Sequence, residues 1–423
     1  MALEDYRADM ERCSRCSFCK WIPLAHIKSW RFSRGCPSME VGKFHAYSAG
    51  GRYAVALSLL EGRSSYTDKL LEVVYKCQMC GLCDVACKVC RYDLEPLEMM
   101  HELRARCVND GQFLPQHVPI IDNLRKENNM MMKPKAKRGK WAEGLEVKDL
   151  TKEKAEVVFH AGCRLSYDEE QCKLARTAVT LLKNAGVDVG IMGKEEKCCG
   201  GRAYDMGYQE EFNRFAKMNI RAWTNAGVKT VVTACSDGYF TFKRLYPQAG
   251  SNFEVVHIVE FIDRLIKEGK IRFTKTIPMK VTYHDPCHLG RQGEPYVPWK
   301  GVERKIRAQI KIHEPRKPRY NGAWGIYDPP RNVLKSIPGL ELVEMERVRE
   351  YAWCCGAGGG VRQAYPDFSS WTAGERTEEA KATGAEAIVS ACPWCERNFI
   401  DAINMNGGKM KVYDIVELVQ QAI

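Results

Sequence analysis

The sequence predicts an α+β protein, in which a mainly helical N-terminal domain precedes two related α/β domains with parallel sheets. Three features of the chain predict this organisation. Cysteine motifs joined by helical patterns occupy residues 1–140, short β-branched runs alternate with helical patterns after residue 154, and this alternating part occurs twice. Strands and helices in alternation favour parallel sheets. We therefore predict domains at 1–140, 154–275 and 278–423.

The N-terminal domain contains two iron–sulfur motifs. Each motif has three cysteines at x2 spacing and a fourth further along, in segments 13–36 and 77–87. Three such cysteines hold three irons of a [4Fe-4S] cubane, and in two-cluster ferredoxins the fourth ligand comes from the other motif. The motifs therefore predict a two-cluster ferredoxin module. The predicted ligands are Cys13, Cys16, Cys19 and Cys87 for cluster one, and Cys77, Cys80, Cys83 and Cys36 for cluster two.

Two details depart from the usual ferredoxin pattern. Sixteen residues separate Cys19 from Cys36, where three are usual, and Lys88 stands where proline usually follows Cys87. We expect the long gap to form an extra loop or helix that shields cluster one. Cys90 is an alternative fourth ligand, although the x3 spacing favours Cys87.

The rest of this module is predicted to be helical. Apolar residues recur at helical spacing within 47–75, and another helix is expected to begin in segment 94–103, with Pro96 near its first turn. The basic boundary segment 124–153 is predicted to be a flexible linker, with a partner-docking strip as the alternative.

The C-terminal two-thirds contains an internal duplication. Residues 157–163 match 281–287 at an offset of 124, whereas Cys-Cys-Gly at 198–200 matches 354–356 at an offset of 156. The change in offset indicates an insertion in the second copy, and 292–324 is the natural candidate. Its basic and aromatic composition predicts a surface loop that is also a candidate for contact with another subunit.

The second copy carries the most specific motif of the chain. Adjacent cysteines leave the backbone in different directions, so they do not easily ligate one metal ion together. A pair of this kind with a Cys-x-x-Cys loop suits a multi-iron cluster, and five thiols exceed the four that a cubane needs. The predicted ligands of this second site are Cys287, Cys354, Cys355, Cys392 and Cys395.

The first copy carries an incomplete form of the same motif. Where the second copy has Cys392-Pro-Trp-Cys395, the first has Cys235-Ser-Asp-Gly238. Four thiols are still able to hold a cluster, and a degenerate or empty site is the open alternative. The candidate ligands of this first site are Cys163, Cys198, Cys199 and Cys235.

Glycines and histidines accompany the second site. Gly356 and Gly358 lie in a glycine-rich loop, which we interpret as close approach of backbone to a bulky cluster rather than as a phosphate loop. His284 and its counterpart His160 are candidates for hydrogen bonding to cluster sulfur or for proton delivery to a departing thiolate. The alternative for each is a histidine satisfied at a strand end. The candidate catalytic residues are Cys354, Cys355 and His284.

Composition excludes several classes of protein. The 20 cysteines accompany a charged start without the apolar region of a signal peptide, which argues against a secreted disulfide scaffold. Three cysteines at x2 spacing fit iron–sulfur ligation better than structural zinc. The net charge of +11 is interpreted as a solvated basic surface, with docking of an acidic redox partner or an anionic substrate as the alternative. We expect no nucleic-acid binding and no direct membrane insertion.

With these motifs the chain resembles the D subunit of heterodisulfide reductase. The resemblance rests on the duplicated Cys…Cys-Cys-Gly…Cys-x-x-Cys (CCG) domain behind a two-cluster ferredoxin module, and it covers nearly the whole chain. Proteins of the same plan include iron–sulfur subunits of glycolate oxidase and glycerol-3-phosphate dehydrogenase, and the D subunit of class II benzoyl-CoA reductase complexes. The resemblance implies a noncubane [4Fe-4S] cluster at the second site. In heterodisulfide reductase this cluster splits a mixed disulfide in one-electron steps.

These expectations combine into one predicted function. The chain is expected to be an oxidoreductase subunit with two cubane clusters and one noncubane cluster, while a further cluster in the first repeat is left open. It would pass electrons between a flavoprotein, ferredoxin or catalytic partner and the second site, because the incomplete first motif favours a relay. We expect a cytoplasmic, anaerobic, hetero-oligomeric complex that meets a membrane only through a partner.

Two other functions stay open at this stage. One is a catalytic heterodisulfide or thiol-disulfide reductase, and the other is an iron–sulfur subunit of a glycolate or glycerol-3-phosphate oxidase. Within the family, the basic insertion points to the benzoyl-CoA reductase type.

Overall fold

Two parallel β-sheets, one in each copy of the duplication, form the centre of the C-terminal region. The computed structural model describes residues 2–90, 94–295, 299–306, 310–316 and 318–423. The strands are β1 (Lys148–Asp149), β2 (Val157–His160), β3 (Val189–Ile191), β4 (Thr230–Thr233), β5 (Glu254–His257), β6 (Met279–Tyr283), β7 (Val302–Ile306), β8 (Ile310–Glu314), β9 (Leu340–Val343), β10 (Ala387–Ser390) and β11 (Lys411–Asp414).

The two sheets share one strand order. The first repeat (154–275) has β3-β2-β4-β5, with β1 added at the β3 edge, and the second repeat (278–423) has β9-β6-β10-β11. All pairings in both sheets are parallel. The predicted fold class, a helical module followed by parallel α/β domains, is therefore confirmed.

Helices surround both sheets and make up most of the N-terminal module. Those of the module are α1 (Arg7–Arg12), α2 (Pro37–Gly42), α3 (Ala49–Leu60), α4 (Asp68–Tyr75), α5 (Leu82–Cys87), α6 (Pro96–Asn109) and α7 (Val118–Glu127). The first repeat contains α8 (Gly162–Tyr167), α9 (Cys172–Asn184), α10 (Gly201–Asp205), α11 (Gln209–Asn225), α12 (Ser236–Phe240) and α13 (Ile258–Lys267). The second contains α14 (Asp328–Ser336), α15 (Val361–Ala364), α16 (Pro366–Ala382), α17 (Pro393–Met405) and α18 (Ile415–Ala422).

The β-branched strands are buried on both faces, as parallel strands usually are. Val158, Val231, Val281 and Val389 are all fully buried and belong to one continuous apolar core that spans both sheets. Helices α9 and α18 pack together across the repeats, as do α13 and α14. The two repeats are therefore joined by a shared core, which fixes the positions of their strand ends relative to each other.

The matched tetrapeptides 257–260 and 414–417 have a structural explanation. Each begins a helix with a capping box, in which the first residue caps the helix and the glutamate three residues later accepts from its backbone N–H. Glu260 accepts from His257 at 2.9 Å, and Glu417 accepts from Asp414 at 3.2 Å. This part of the duplication thus preserves helix initiation rather than a site.

The helices of the ferredoxin module differ from the predicted helices in one detail. Segment 47–75 forms two helices, α3 and α4, because Gly62 adopts a positive φ of 66° between them and Thr67 caps the second. Helix α6 begins at Pro96, as expected for proline in a first turn. Among the described residues, none of the helices combines the length and apolar character that a membrane crossing requires.

Two other segments are more ordered than the sequence predicts. The boundary segment 124–153 is not a flexible linker, since Arg138 is buried and β1 joins the first sheet. Within 292–324 the expected loop contains an antiparallel hairpin of β7 and β8. Residues 296–298, 307–309 and 317 of this insertion lie outside the described residues.

Candidate iron–sulfur sites

The four thiols predicted for cluster one lie in the outer part of the ferredoxin module. Cys13, Cys16 and Cys19 lie on the loop after α1, and Cys87 ends α5. Burial raises the pKa of the Cys87 thiol, and the nearby Cys19 and Cys13 thiols raise it further. Cys90 is exposed and neighbours Cys16. The structure thus brings Cys87 to two members of this set and Cys90 to one.

The four thiols predicted for cluster two come together deeper in the module. Burial raises the pKa of Cys36 to about 12, and the adjacent Cys77 and Cys80 thiols add to this effect while Arg52 opposes it. Burial also raises the pKa of Cys83, which neighbours the other three thiols. Buried thiols that disfavour one another's ionisation need a positive charge to become thiolates together. Iron supplies that charge, so this donor set fits a cubane.

The five thiols of the second site form a continuous chain of contacts. Hydrogen-bonding contacts run from Cys287 to Cys354, on to Cys355, then to Cys395 and finally to Cys392. Cys287 follows β6, and Cys392 and Cys395 follow β10, so the site lies at the carboxyl ends of parallel strands, where open α/β sheets bind ligands. Five convergent thiols fit a multi-iron group.

The glycine-rich loop has two separate reasons for its glycines. Gly356 has a φ of 91°, and a Cβ there would lie 2.4 Å from the Ser369 carbonyl oxygen. Its backbone N–H donates to Cys354 Sγ at 3.3 Å, as Gly200 does to Cys198 in the first repeat at 3.4 Å. Gly356 therefore adopts the conformation that aims an N–H at a candidate ligand.

Gly358 instead touches the ferredoxin module. A Cβ at Gly358 would lie 2.3 Å from the Gln78 carbonyl oxygen, and one at Gly359 would lie 2.6 Å from that of Cys77. The loop that carries Cys77 and Cys80 therefore packs directly on the loop that follows Cys354 and Cys355. The sequence predicts close approach of backbone to a cluster in this loop, whereas the close neighbour of Gly358 is another part of the protein backbone.

Arg104, a residue that the sequence analysis missed, holds these two loops together. This fully buried side chain donates to the backbone carbonyls of Gly359 and Cys77 at 2.8 and 2.7 Å. It also donates to the carbonyls of Val74, Tyr75 and Asp205. No motif marks this arginine, because it stands in the middle of α6 and its partners lie far away in the sequence.

Thiols of the two loops meet at this contact. Cys80, a predicted ligand of cluster two, is in hydrogen-bonding contact with Cys354 of the second site. Gln78 Nε2 donates to Thr372 Oγ1 at 3.1 Å, and Gln292 Nε2 donates to the Met79 carbonyl at 2.9 Å. Two further hydrogen bonds near the sulfur contact therefore join the ferredoxin module to the second repeat.

The histidines of the two repeats have different environments. Arg376 Nε donates to His284 Nδ1 at 3.1 Å, so a neutral His284 carries its proton on Nε2. The ligand atoms of His284, Cys355 and Cys395 lie within 4.8 Å of one another. Burial lowers the pKa of His284, and Arg376 lowers it further. His284 is thus placed to donate a hydrogen bond to sulfur.

His160 has a structural partner instead. Its Nε2 lies 3.0 Å from the Lys197 carbonyl oxygen, to which it donates at the end of β2. This bond matches the alternative for His160, a histidine bonded at a strand end, although its buried Nδ1 has no hydrogen-bond partner among the described residues. The matching positions in the duplication therefore do not have matching hydrogen-bond partners.

The first site keeps three of its four predicted thiols together. Cys163 is in contact with Cys198, which neighbours Cys199. Buried Arg138 donates to Cys163 Sγ at 3.3 Å and forms an ion pair with buried Glu196 at 2.8 Å. Arg138 was missed by the sequence analysis, since it lies in a basic segment whose composition is typical of linkers.

Cys235, the fourth candidate of the first site, has a thiol contact elsewhere. It is in hydrogen-bonding contact with Cys392 of the second repeat.

Two cysteines have no assigned role. Cys107 is buried, which raises its pKa to about 12, whereas Cys172 is half-buried and donates to the Glu169 carbonyl.

Comparisons with known proteins agree with this arrangement. A 4Fe-4S dicluster domain matches residues 9–90, and a cysteine-rich domain, CCG, matches residues 157–243 and 281–400. The D subunit of the dihydromethanophenazine:CoB–CoM heterodisulfide reductase of Methanosarcina mazei is 32% identical over 98% of this chain and 94% of that protein.

Two further similarities are more distant. An EtfAB:quinone oxidoreductase of Syntrophomonas wolfei is 28% identical over 83% of this chain, which spans 47% of that protein. The crystal structure of a hypothetical protein from Helicobacter pylori aligns with a TM-score of 0.56 at 10% identity, covering 89% of this chain and 67% of that one. This last similarity concerns the fold alone.

Domain matches, sheets and thiol groups together define the class of protein: an iron–sulfur oxidoreductase subunit. The sequence similarity to the Methanosarcina mazei subunit extends over nearly the full length of both chains, so the chain is assigned to one family within this class. The chain belongs to the family of heterodisulfide reductase D subunits.

Proposed function

We propose that this chain is an electron-transfer subunit of a redox complex, and that it carries electrons between a flavoprotein or ferredoxin partner and the second site. When bound, iron–sulfur clusters supply one-electron redox chemistry. The proposed cluster ligands are the thiols already described: two sets of four in the ferredoxin module, and five in the second repeat for a noncubane cluster.

The observation that carries this proposal is the contact between Cys80 and Cys354. It joins a thiol of the ferredoxin module to a thiol of the second site without intervening residues. Gln78, Gln292 and Arg104 hold the surrounding loops in place by hydrogen bonds. An electron on a cluster held by the inner thiols of the module would thus have a short, fixed route to the second site.

The outer thiols of the module suit the exchange of electrons with a partner. Cys16 is exposed, whereas Cys19 behind it is buried. The loop beyond these thiols exposes Trp21, Leu24 and Trp30 beside Cys16. An apolar surface next to an exposed predicted ligand is a suitable contact for another redox subunit, so we place the partner there.

The second site itself is poorly exposed, which favours a relay over direct catalysis. Cys354, Cys355, Cys392 and Cys395 are 1–5% exposed, and Cys287 is half-buried. A catalytic thiol-disulfide reductase is the second candidate, because His284 holds a proton close to Cys355 and Cys395. Cytoplasmic location, an anaerobic complex and the narrower likeness to benzoyl-CoA reductase or glycolate and glycerol-3-phosphate oxidase subunits stay predictions.

The relay is tested by anaerobic rapid mixing with a reduced ferredoxin, followed by freeze-quench EPR. In the unaltered chain we expect signals from the module first and from the second site afterwards. Cys83→Ser should keep the second-site iron but delay its reduction strongly, because the inner set of thiols is broken. Equal rates in both proteins would contradict the relay.

The catalytic function is distinguished from the relay by oxidising the protein in the presence of thiols. A paramagnetic species that forms only with a particular thiol, and that Cys395→Ser removes, would support catalysis at the second site. Electron transfer to partners without any thiol-dependent species supports the relay. A purified chain without iron and without visible absorbance would exclude both redox functions.

A further inference from the structure

A loop of the first repeat covers part of the second site. We infer that Cys235 serves the second site as a sixth thiol, and that residues 235–238 form a wall of that site rather than part of a first-repeat cluster. This inference rests on the proposed function, since it assumes an iron–sulfur group among the second-site thiols. It assigns a cysteine of the incomplete motif to the neighbouring repeat.

The cysteine loops of the two repeats are bonded directly to each other. Cys235 is in hydrogen-bonding contact with Cys392, the residue that occupies its own position in the second repeat. Ser236 Oγ donates to the Ala391 carbonyl at 2.8 Å. Because both contacts are buried, the ends of β4 and β10 are fixed against each other.

Asp237 anchors the wall through contacts with a histidine and an arginine. Its carboxylate lies 2.6 Å from His288 Nδ1, next to Cys287, and forms an ion pair with Arg202. Arg202 also donates to the Ala357 carbonyl at 2.7 Å, within the glycine-rich loop of the second site. The wall is thus tied both to the segment that carries Cys287 and to the loop that follows the adjacent cysteine pair.

The first repeat also encloses the Cys-x-x-Cys loop from outside. The guanidinium groups of Arg164 and Arg202 lie 5.1 and 5.3 Å from the centroid of the Trp394 ring. Gln171 Nε2 donates to the Pro393 carbonyl at 3.0 Å. Residues of the first repeat therefore shape the surroundings of Cys392 and Cys395.

The consequence is that Cys235 acts on the second site through the sulfur of Cys392. A hydrogen-bonding group at a ligand sulfur changes the electron density on that sulfur, and with it the reduction potential of the attached iron. Cys235 is therefore a positioning residue whose removal should change the potential and the spectrum. It is not required for iron binding, because five other thiols remain.

The test compares Cys235→Ala, Cys235→Ser and the control Cys163→Ala in the full chain, by iron analysis and EPR-monitored redox titration. We expect Cys235→Ala to shift the second-site signal and its midpoint potential at unchanged iron content. Cys235→Ser should shift them less, since serine keeps a hydrogen-bonding group. Cys163→Ala should leave the second-site signal unchanged.

Two results would overturn the inference. In one, Cys235→Ala changes the same signal and iron content as Cys163→Ala, which would return Cys235 to the first site. In the other, no second-site property responds to Cys235→Ala.

Asp237→Asn provides a second variant that alters no thiol, and it should also shift the second-site signal. If the unaltered protein lacks an iron signal that depends on Cys395, the proposed function fails as well, so the two failures are distinguishable.

Discussion

The two CCG repeats have the same scaffold but different groups at their strand ends. Both have the same strand order and a capping box after the last strand. The second repeat completes its thiol set with Cys395, whereas the first has Gly238 at that position. In the first repeat, Cys163 lies beside the ion pair of Glu196 with Arg138 of the boundary segment. The duplication thus preserves folding, while the chemistry of the sites depends on a few positions.

A second difference concerns what each repeat contacts. Gly358 allows the second repeat to pack on the Cys77–Cys80 loop, and the residue at the matching position of the first repeat is Arg202. Arg202 contacts Asp237 and the glycine-rich loop of the second repeat. The second repeat therefore packs on the ferredoxin module, and the first repeat supports the second repeat.

The largest expected difference between the repeats follows from replacing matched cysteines. Cys355→Ser should abolish the second-site EPR signal, because serine is not ionised at neutral pH and is a poor iron ligand. The matched variant Cys199→Ser should retain that signal in full. Loss of the second-site signal in both variants would contradict the separation of the two sites.

A buried ion pair gives the next largest effect. Asp285 accepts from Arg331 at 2.7 and 2.9 Å, whereas the first repeat has Ala161 at this position. Asp285→Ala should lower the free energy of unfolding by about 3 kcal/mol, because it leaves a buried arginine without one of its partners. Anaerobic denaturant titration measures this cost.

The control for that titration is a surface ion pair of the same repeat. Glu341 pairs with Lys280 at 3.2 Å, and Glu341→Gln should cost less than about 1 kcal/mol. A cost for Asp285→Ala no larger than this would show that the pair does not stabilise the second repeat.

The contact between the second repeat and the module is tested at Gly358. Gly358→Ala should slow electron delivery to the second site and cost about 1–3 kcal/mol, because its Cβ would meet the Gln78 carbonyl at 2.3 Å. Gly374→Ala is a matched control, since its Cβ would have only an ordinary contact at 3.4 Å and alanine favours the helix. Freeze-quench EPR gives the rate, and denaturant titration gives the stability. Equal rates in the two variants would argue against the contact as an electron route.

The smallest effect should be the same in both repeats. Glu260→Ala and Glu417→Ala each remove the reciprocal half of a capping box, and each should cost about 0.5–1 kcal/mol. Thermal unfolding of the two variants measures the costs side by side. A cost of several kcal/mol at only one position would show that the repeats do not share this feature equally.

The sequence predicts the fold better than it predicts the surroundings of the sites. β-branched runs such as 157–160 indicate buried parallel strands, and cysteine spacing identifies the candidate ligands, because both signals are local. The roles of Arg104 and Arg138 depend on partners distant in the chain, so no local pattern reveals them. Segment 124–153 has the composition of a linker, and that composition does not show that Glu196 neutralises Arg138.

The duplication also gives no sign of one contact between the copies. Alignment of the repeats assigns Cys235 to its own copy, because its position matches that of Cys392. Cys235 and Cys392 instead meet in a separate buried cluster, and sequence offsets carry no information about the interface between copies. The same limit applies to Cys80 and Cys354, whose contact depends on how the module packs against the second repeat.

The most direct test of the electron route is the magnetic interaction between the cluster that the inner thiols of the module would hold and the cluster at the second site. Pulsed EPR on the anaerobic, partly reduced protein measures the spin relaxation of the second-site signal. The contact between Cys80 and Cys354 predicts fast relaxation that becomes slow in Cys83→Ser. Equally slow relaxation in both proteins would contradict a direct route between the two sites.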